Sequence, residues 1–112
     1  MSDAHWENLR ASEIQSSAIL RLLLDDVRDL HTFLEFLDGL RADREEADRK
    51  EASSPPGPYS SWNGWKNNSI ATFLESAVAC VSDKLRLNQA FLASENPWKA
   101  AASIIYAGKY YE

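Results

Sequence analysis

Cysteine is scarce in this chain. The single one, Cys80, excludes an internal disulfide and fits a reducing compartment. Set within Ala77-Val78-Ala79-Cys80-Val81, it reads as a small packed hydrophobe rather than a reactive thiol. Long apolar runs are missing too. The longest, Ala18 to Leu24, spans seven residues and is interrupted by Arg21, whereas a membrane helix needs roughly 20. The N-terminal stretch lacks the basic start, apolar run and small-residue cleavage site of a secretion signal, so a soluble, cytoplasmic protein with no membrane partner is expected.

The groups that build most active sites are also few. His5 and His31 lie in different segments with no cysteine at ligand spacing, which argues against a zinc site. Asp25, Asp26 and Asp29 are not followed by the glycine-containing loop of a calcium site, and adjacent acids on a helix point in different directions. The four glycines are scattered, so no phosphate-cradling loop forms. No serine has a base nearby in sequence, although triads assemble in space. No catalytic residue, metal or cofactor is expected.

Positive charge is short as well. Twelve basic residues face seventeen acidic ones, a net charge of −5. Ten acids and five bases between Asp25 and Glu51 account for the whole of that excess. Phosphate contacts require a clustered basic surface, so nucleic acid is not the expected partner.

What remains is an ordinary globular composition, 45% apolar and 26% charged over 112 residues. One domain of this size buries about 65% of its unfolded surface without staples. Four segments have helical spacing, and none reads as a strand. The first runs from Glu13 to Leu24 after Ser12 as cap, and its apolar residues cover more than one face. Such a helix is buried on two sides or reaches another molecule. Residues 1–26 therefore read as a helix-bearing extension, with a homodimer through residues 13–24 as one use, and residues 27–112 as the domain proper.

Asp29 is the N-cap candidate of the second helix, in which Leu30, Phe33, Leu34, Leu37 and Leu40 recur at helical spacing. Beyond Leu40 the segment is charged all round to Glu51, with opposite charges such as Arg41 and Glu45 four apart. Residues 52–61, with three prolines and a glycine, form an extended loop. The third helix begins at Asn68 or Ser69, and Ile70, Phe73, Leu74, Ala77, Val78, Val81 and Leu85 make one face. Asn96 caps the fourth, Pro97 takes its first position, and Trp98, Ala101, Ala102 and Ile105 make a narrow face. The expected fold is all-α, a small antiparallel bundle of three to four helices with a Pro-rich loop. Phe33, Leu37, Trp62, Phe73 and Trp98 are its expected core anchors. Trp65 and Tyr111 either pack or present a recognition patch, since Trp and Tyr are enriched in hot spots.

At these residues the chain resembles an uncharacterised family of small bacterial proteins. Its pattern is Trp-x-Asn, then a Phe-Leu-Glu helix, then Asn-Pro-Trp, then a helix closing on Tyr-Glu. The matching positions include Trp62, Phe73, Leu74, Glu75, Asn96, Pro97, Trp98, Tyr111 and Glu112, and residues 29–37 are similar to the family's first helix. The resemblance covers about residues 27–112. A tryptophan it implies near Ala79 or Cys80 is lacking. It brings no established activity, but small acidic proteins of this type look like immunity proteins that neutralise a toxin.

The resulting expectation is a non-catalytic protein-binding module, most concretely an immunity-type inhibitor. Asp38, Asp43, Glu45, Glu46, Asp48 and Glu51, aided by Trp65 and Tyr111, would occlude a basic surface of the partner protein. The rivals are a homo-oligomeric structural protein and an enzyme whose site is not visible in sequence.

Overall fold

The computed structural model describes residues 3–58 and 60–111, the side chain of Asp3 aside. Tyr59 of the Pro-rich loop and the terminal Glu112 lie outside the described residues. Four α-helices make up the fold: α1 (Asp3–Asp25), α2 (Leu30–Ser53), α3 (Ile70–Leu87) and α4 (Pro97–Tyr110), with a 3-10 turn at Trp62–Gly64. No strand occurs among the described residues.

Local chemistry sets most of the ends. Asp29 accepts the Thr32 N–H while the Thr32 hydroxyl accepts from the Asp29 N–H, and Ser69 and Thr72 repeat this reciprocal arrangement at the start of α3. The Asn96 side chain accepts from the N–H groups of Trp98 and Lys99 ahead of α4, with Pro97 where its missing N–H costs nothing. One end departs from expectation: α1 starts well before Ser12. That serine sits inside the helix, donating to the Leu9 carbonyl at 2.7 Å and accepting from the backbone N–H of Asn63 at 2.9 Å. A tertiary bond occupies the hydroxyl that the sequence suggested as a cap.

Only Asp26 to Asp29 separate α1 from α2, and so short a link makes the two helices antiparallel neighbours. α4 also runs antiparallel to α1. Its Lys99, Tyr106 and Tyr110 meet the Asp25 carbonyl, Arg21 and Ser17 in turn, rising along one helix while falling along the other. α3 packs chiefly on α4. They come so close that a Cβ at Gly108 would lie 2.8 Å from the carbonyl oxygen of Phe73.

The core lies between α1, α2, α4 and the 3-10 turn. Phe36 is fully buried, and Leu9, Leu20 and Leu24 of α1 join it. No break in packing therefore falls at residue 26. The segment expected as an extension supplies part of the same core, although some of its apolar residues, Ile14, Ile19 and Leu22, face solvent. Of the expected anchors, Trp62 is buried, and Phe33, Leu37 and Phe73 are partly buried against the core. Trp98 is the correction. Its side chain, 38% exposed, lies in the first turn of α4 and touches Phe33 at 5.6 Å between ring centroids. The first turn lies at the end of the bundle, where the neighbouring helices no longer cover both faces of an indole.

The Pro-rich loop is anchored where it leaves and returns. Trp62 Nε1 donates to the Ser54 carbonyl at 2.7 Å, and the His5 ring lies against Trp62 at 5.9 Å. No helix among the described residues is long and apolar enough to cross a membrane.

Candidate functional site

The charged half of α2 neutralises much of itself. Arg41 pairs with Asp38 at 2.9 Å and Glu45 at 2.8 Å, Arg44 with Asp48 at 2.6 Å and Glu51 at 2.9 Å, and Lys50 with Glu46 at 2.8 Å. The Lys50 bond, opposed by partial burial and helped by an Asn63 N–H, holds the Glu46 carboxyl below its ordinary range. Asp38, Glu45, Glu46 and Asp48 are exposed as expected, and Glu51 is half-buried.

Asp43 is the exception. Its side chain is only 11% exposed and is surrounded by donors. Ser16 donates to it at 2.7 Å, the Asn63 amide at 3.0 Å, Trp65 Nε1 at 2.8 Å and Lys109 Nζ at 2.8 Å. A carboxylate expected at a docking surface is thus the acceptor at the centre of the fold. Trp65 is corrected with it. The indole is buried in the core and makes that bond, with the Arg44 guanidinium and the Lys109 ammonium each 5.2 Å from its ring. Tyr111 is half-buried, and its hydroxyl donates to Asp83 of α3.

Lys109 is the residue that sequence reasoning passed over. Its side chain is 0% exposed, with the ammonium donating to Ser16 at 2.6 Å as well as to Asp43. Burial pushes its pKa below 10.5, and the bond to Asp43 opposes that shift. Ser16 therefore accepts from a lysine and donates to an aspartate. A serine–lysine pair serves nucleophilic chemistry when the lysine is free to take the proton. Here the lysine is committed to a carboxylate and both side chains are buried, so the arrangement acts as a strut tying α1, α2 and α4 together.

The turn that completes this centre carries its own signal. Asn63 has φ 57° and Gly64 φ 78°, a pair of left-handed residues that Asn-Gly adopts more readily than other dipeptides. Asn63 is almost wholly buried and also accepts from Lys50 at 2.8 Å. Just beyond, Trp65-Lys66-Asn67 has the Trp-x-Asn spacing, which Trp62, followed directly by Asn63, does not. Lys66 donates its backbone N–H to the Lys109 carbonyl, and the Asn67 amide donates to the carbonyls of Gly108 at 2.9 Å and Tyr111 at 3.0 Å. The spacing could have identified this staple; nothing in the sequence pairs it with Lys109.

The outer side of α3 is different in kind. Phe73, Ala77 and Cys80 turn towards the protein, whereas Ile70, Leu74, Val78 and Leu85 are 81%, 56%, 66% and 39% exposed. Their spacings of four, four and seven residues keep them on one stripe, with the half-buried Val81 between the last two. Glu75 and Arg86 border the stripe on one flank. Apolar residues gathered in this way mark interaction sites more often than scattered ones do.

Two further possibilities have less to offer. A cleft of about 480 Å³ runs beside α1, lined by Trp6, Glu7, Arg10, Glu13 and Lys66 among others, with charges of both signs. Among the described residues no group of three or more His, Cys, Asp or Glu could hold a metal ion.

Residues 29–112 match the family of unknown function DUF7660, and the chain belongs to that family. The match begins at the cap of α2 and leaves α1 outside it. Neither the curated proteins nor the solved structures yield a match.

Proposed function

We propose that this member of the DUF7660 family is a non-catalytic protein-binding module whose contact surface is the outer face of α3. The observation that carries the proposal is the stripe of Ile70, Leu74, Val78 and Leu85, exposed along a helix that packs chiefly on one neighbour. Burying apolar surface is worth about 25 cal/mol per Å². The fold leaves that gain unused, and a partner would collect it. The buried centre plays the supporting role, locking α4, and with it the platform under α3, to the rest of the bundle.

A second reading keeps the acidic surface. In it the protein is a cytoplasmic immunity-type inhibitor from a bacterium, and Asp38, Glu45, Glu46 and Asp48 meet a basic toxin. The net charge of −5 and the exposure of those four carboxylates favour it. Their pairing with Arg41, Arg44 and Lys50 weakens the field they can project.

Photo-crosslinking in the native host separates the two. A photoreactive residue at position 78 is expected to give a discrete protein adduct, and one at position 45 is expected to give none. Adducts from position 45 alone would transfer the function to α2. Adducts from neither position would remove the binding-module reading.

A further inference from the structure

We infer that the partner seated on α3 is α3 of a second copy of this chain, paired antiparallel about a twofold axis. The inference rests on the binding-module reading and names the occupant of the same face. In a twofold interface one surface serves both sides, so that if residue i meets j, then j meets i. The stripe on α3 meets that condition. An antiparallel pairing that sets Leu74 opposite Leu85 also sets Val78 opposite Val81, so each copy contributes the same two layers from residues three and four apart.

Charge selects the orientation. Glu75 and Arg86 are eleven residues apart, about three turns, and so lie on the same flank of the stripe near its two ends. In an antiparallel pair the same flanks of the two helices face each other, which brings Glu75 of each copy to Arg86 of the other. In a parallel pair opposite flanks would face, leaving the Glu75 and Arg86 flanks of the two copies on opposite sides of the seam with no pairing between them. Within one chain Glu75 has no ion pair among the described residues, and Arg86 pairs only with Asp83 on its own helix. The flank is thus incomplete in the monomer and complete in this dimer. The outer face of α1, the other surface considered for a homodimer, carries Gln15 between Leu22 and Ile19 and lacks such an uninterrupted seam. Paired through α3, two α3–α4 units would form a four-helix layer, each α3 covered by α4 on one side and by its copy on the other.

The test is sedimentation velocity on the full chain over a wide concentration range, with far-UV circular dichroism to confirm that each variant is folded. The wild type is expected to show a reversible monomer–dimer equilibrium. Leu74→Glu places a charge in the seam and is expected to weaken association about 100-fold, and Val78→Ser, a milder change, about tenfold. Glu75→Arg and Arg86→Glu are each expected to weaken it about tenfold, because each creates two like-charge contacts per dimer, and the double exchange is expected to restore it. A wild type that stays monomeric throughout overturns the inference, as does a dimer indifferent to Leu74→Glu or one not rescued by the double exchange. If the chain stays monomeric while a photoreactive residue at position 78 captures a different protein, self-pairing fails and the binding-module reading stands. If position 78 captures nothing either, both fail.

Discussion

Where α1, α2 and α4 meet, this protein buries a lysine and an aspartate, whereas on the outer side of α3 it leaves four aliphatic side chains in water. Each placement runs against the usual partition of residues, and each has its own physical reason. A buried charge costs several kcal/mol unless it is paired and its remaining positions are filled. At Asp43 they are filled by Ser16, Asn63, Trp65 and Lys109, which come from three separate parts of the chain. Such a centre tolerates little displacement, so it fixes how the helices and the 3-10 turn sit together. The α3 stripe imposes no geometry of that kind on its own chain. It adds nothing to the fold and is available to another surface.

The contrast can be broken from the polar side first. Deleting residues 1–26 removes Leu9, Leu20 and Leu24 from the core and both Ser12 and Ser16 from the centre. The remainder is expected to lose its cooperative unfolding transition in urea. A truncated chain that unfolds as cooperatively as the whole would show that α1 is an appendage. Next in size, Lys109→Met leaves Asp43 buried and unpaired, and is expected to cost about 3–5 kcal/mol in urea denaturation. A loss below about 1 kcal/mol would mean that water reaches Asp43, and the centre would no longer count as buried.

The two tryptophans sharpen the same division. Trp65→Ala removes a buried indole and its bond to Asp43, for an expected loss of about 3–5 kcal/mol. Trp98→Ala is expected to cost only about 1–2 kcal/mol, because the side chain is 38% exposed and gives up mainly its contact with Phe33. Equal losses would place Trp98 in the core after all.

Tyr106 offers a pH-dependent check on the buried side. Burial, and then its hydrogen bond to Tyr110, push the phenol above its ordinary value of 10.0. The neutral form is favoured on folding, so this contribution is fully present below pH 10.0 and is lost as the pH rises above it. Stability measured above pH 10.0 should therefore fall more steeply in the wild type than in Tyr106→Phe. Parallel curves would show that the phenol is solvated. The smallest effect belongs to the other side: Leu74→Ser and Val78→Ser should change unfolding free energy by less than about 0.5 kcal/mol at concentrations where the chain is monomeric. A larger loss would mean that the stripe is packed against its own chain.

Much of the helical layout was legible because its signals are local. Asp29 and Asn96 cap the helices they were expected to cap, and Ser69, one of the two expected starts of the third helix, is its cap, since a cap is a bond between a side chain and backbone two or three residues away. The start of α1 was not legible, because the residues before Ser12 have no clear apolar period and owe their place to contacts with the 3-10 turn. The face of α3 was half legible. Seven apolar residues mark one broad arc, but only packing divides it, with Phe73 and Ala77 turned to the protein and Leu74 and Val78 to solvent. Among the acids of α2, Asp43 reads like its neighbours until Lys109, 66 residues later, is brought against it.

The sequence by itself determined the class of the fold, the starts of three helices and the charge of the second, all of which follow from residues within a few positions of one another. Only the tertiary structure decided which carboxylate is buried, which tryptophan is a strut and which half of an apolar arc remains uncovered. Those outcomes depend on partners distant in the chain, and a residue's own neighbours carry no record of what will be packed against it.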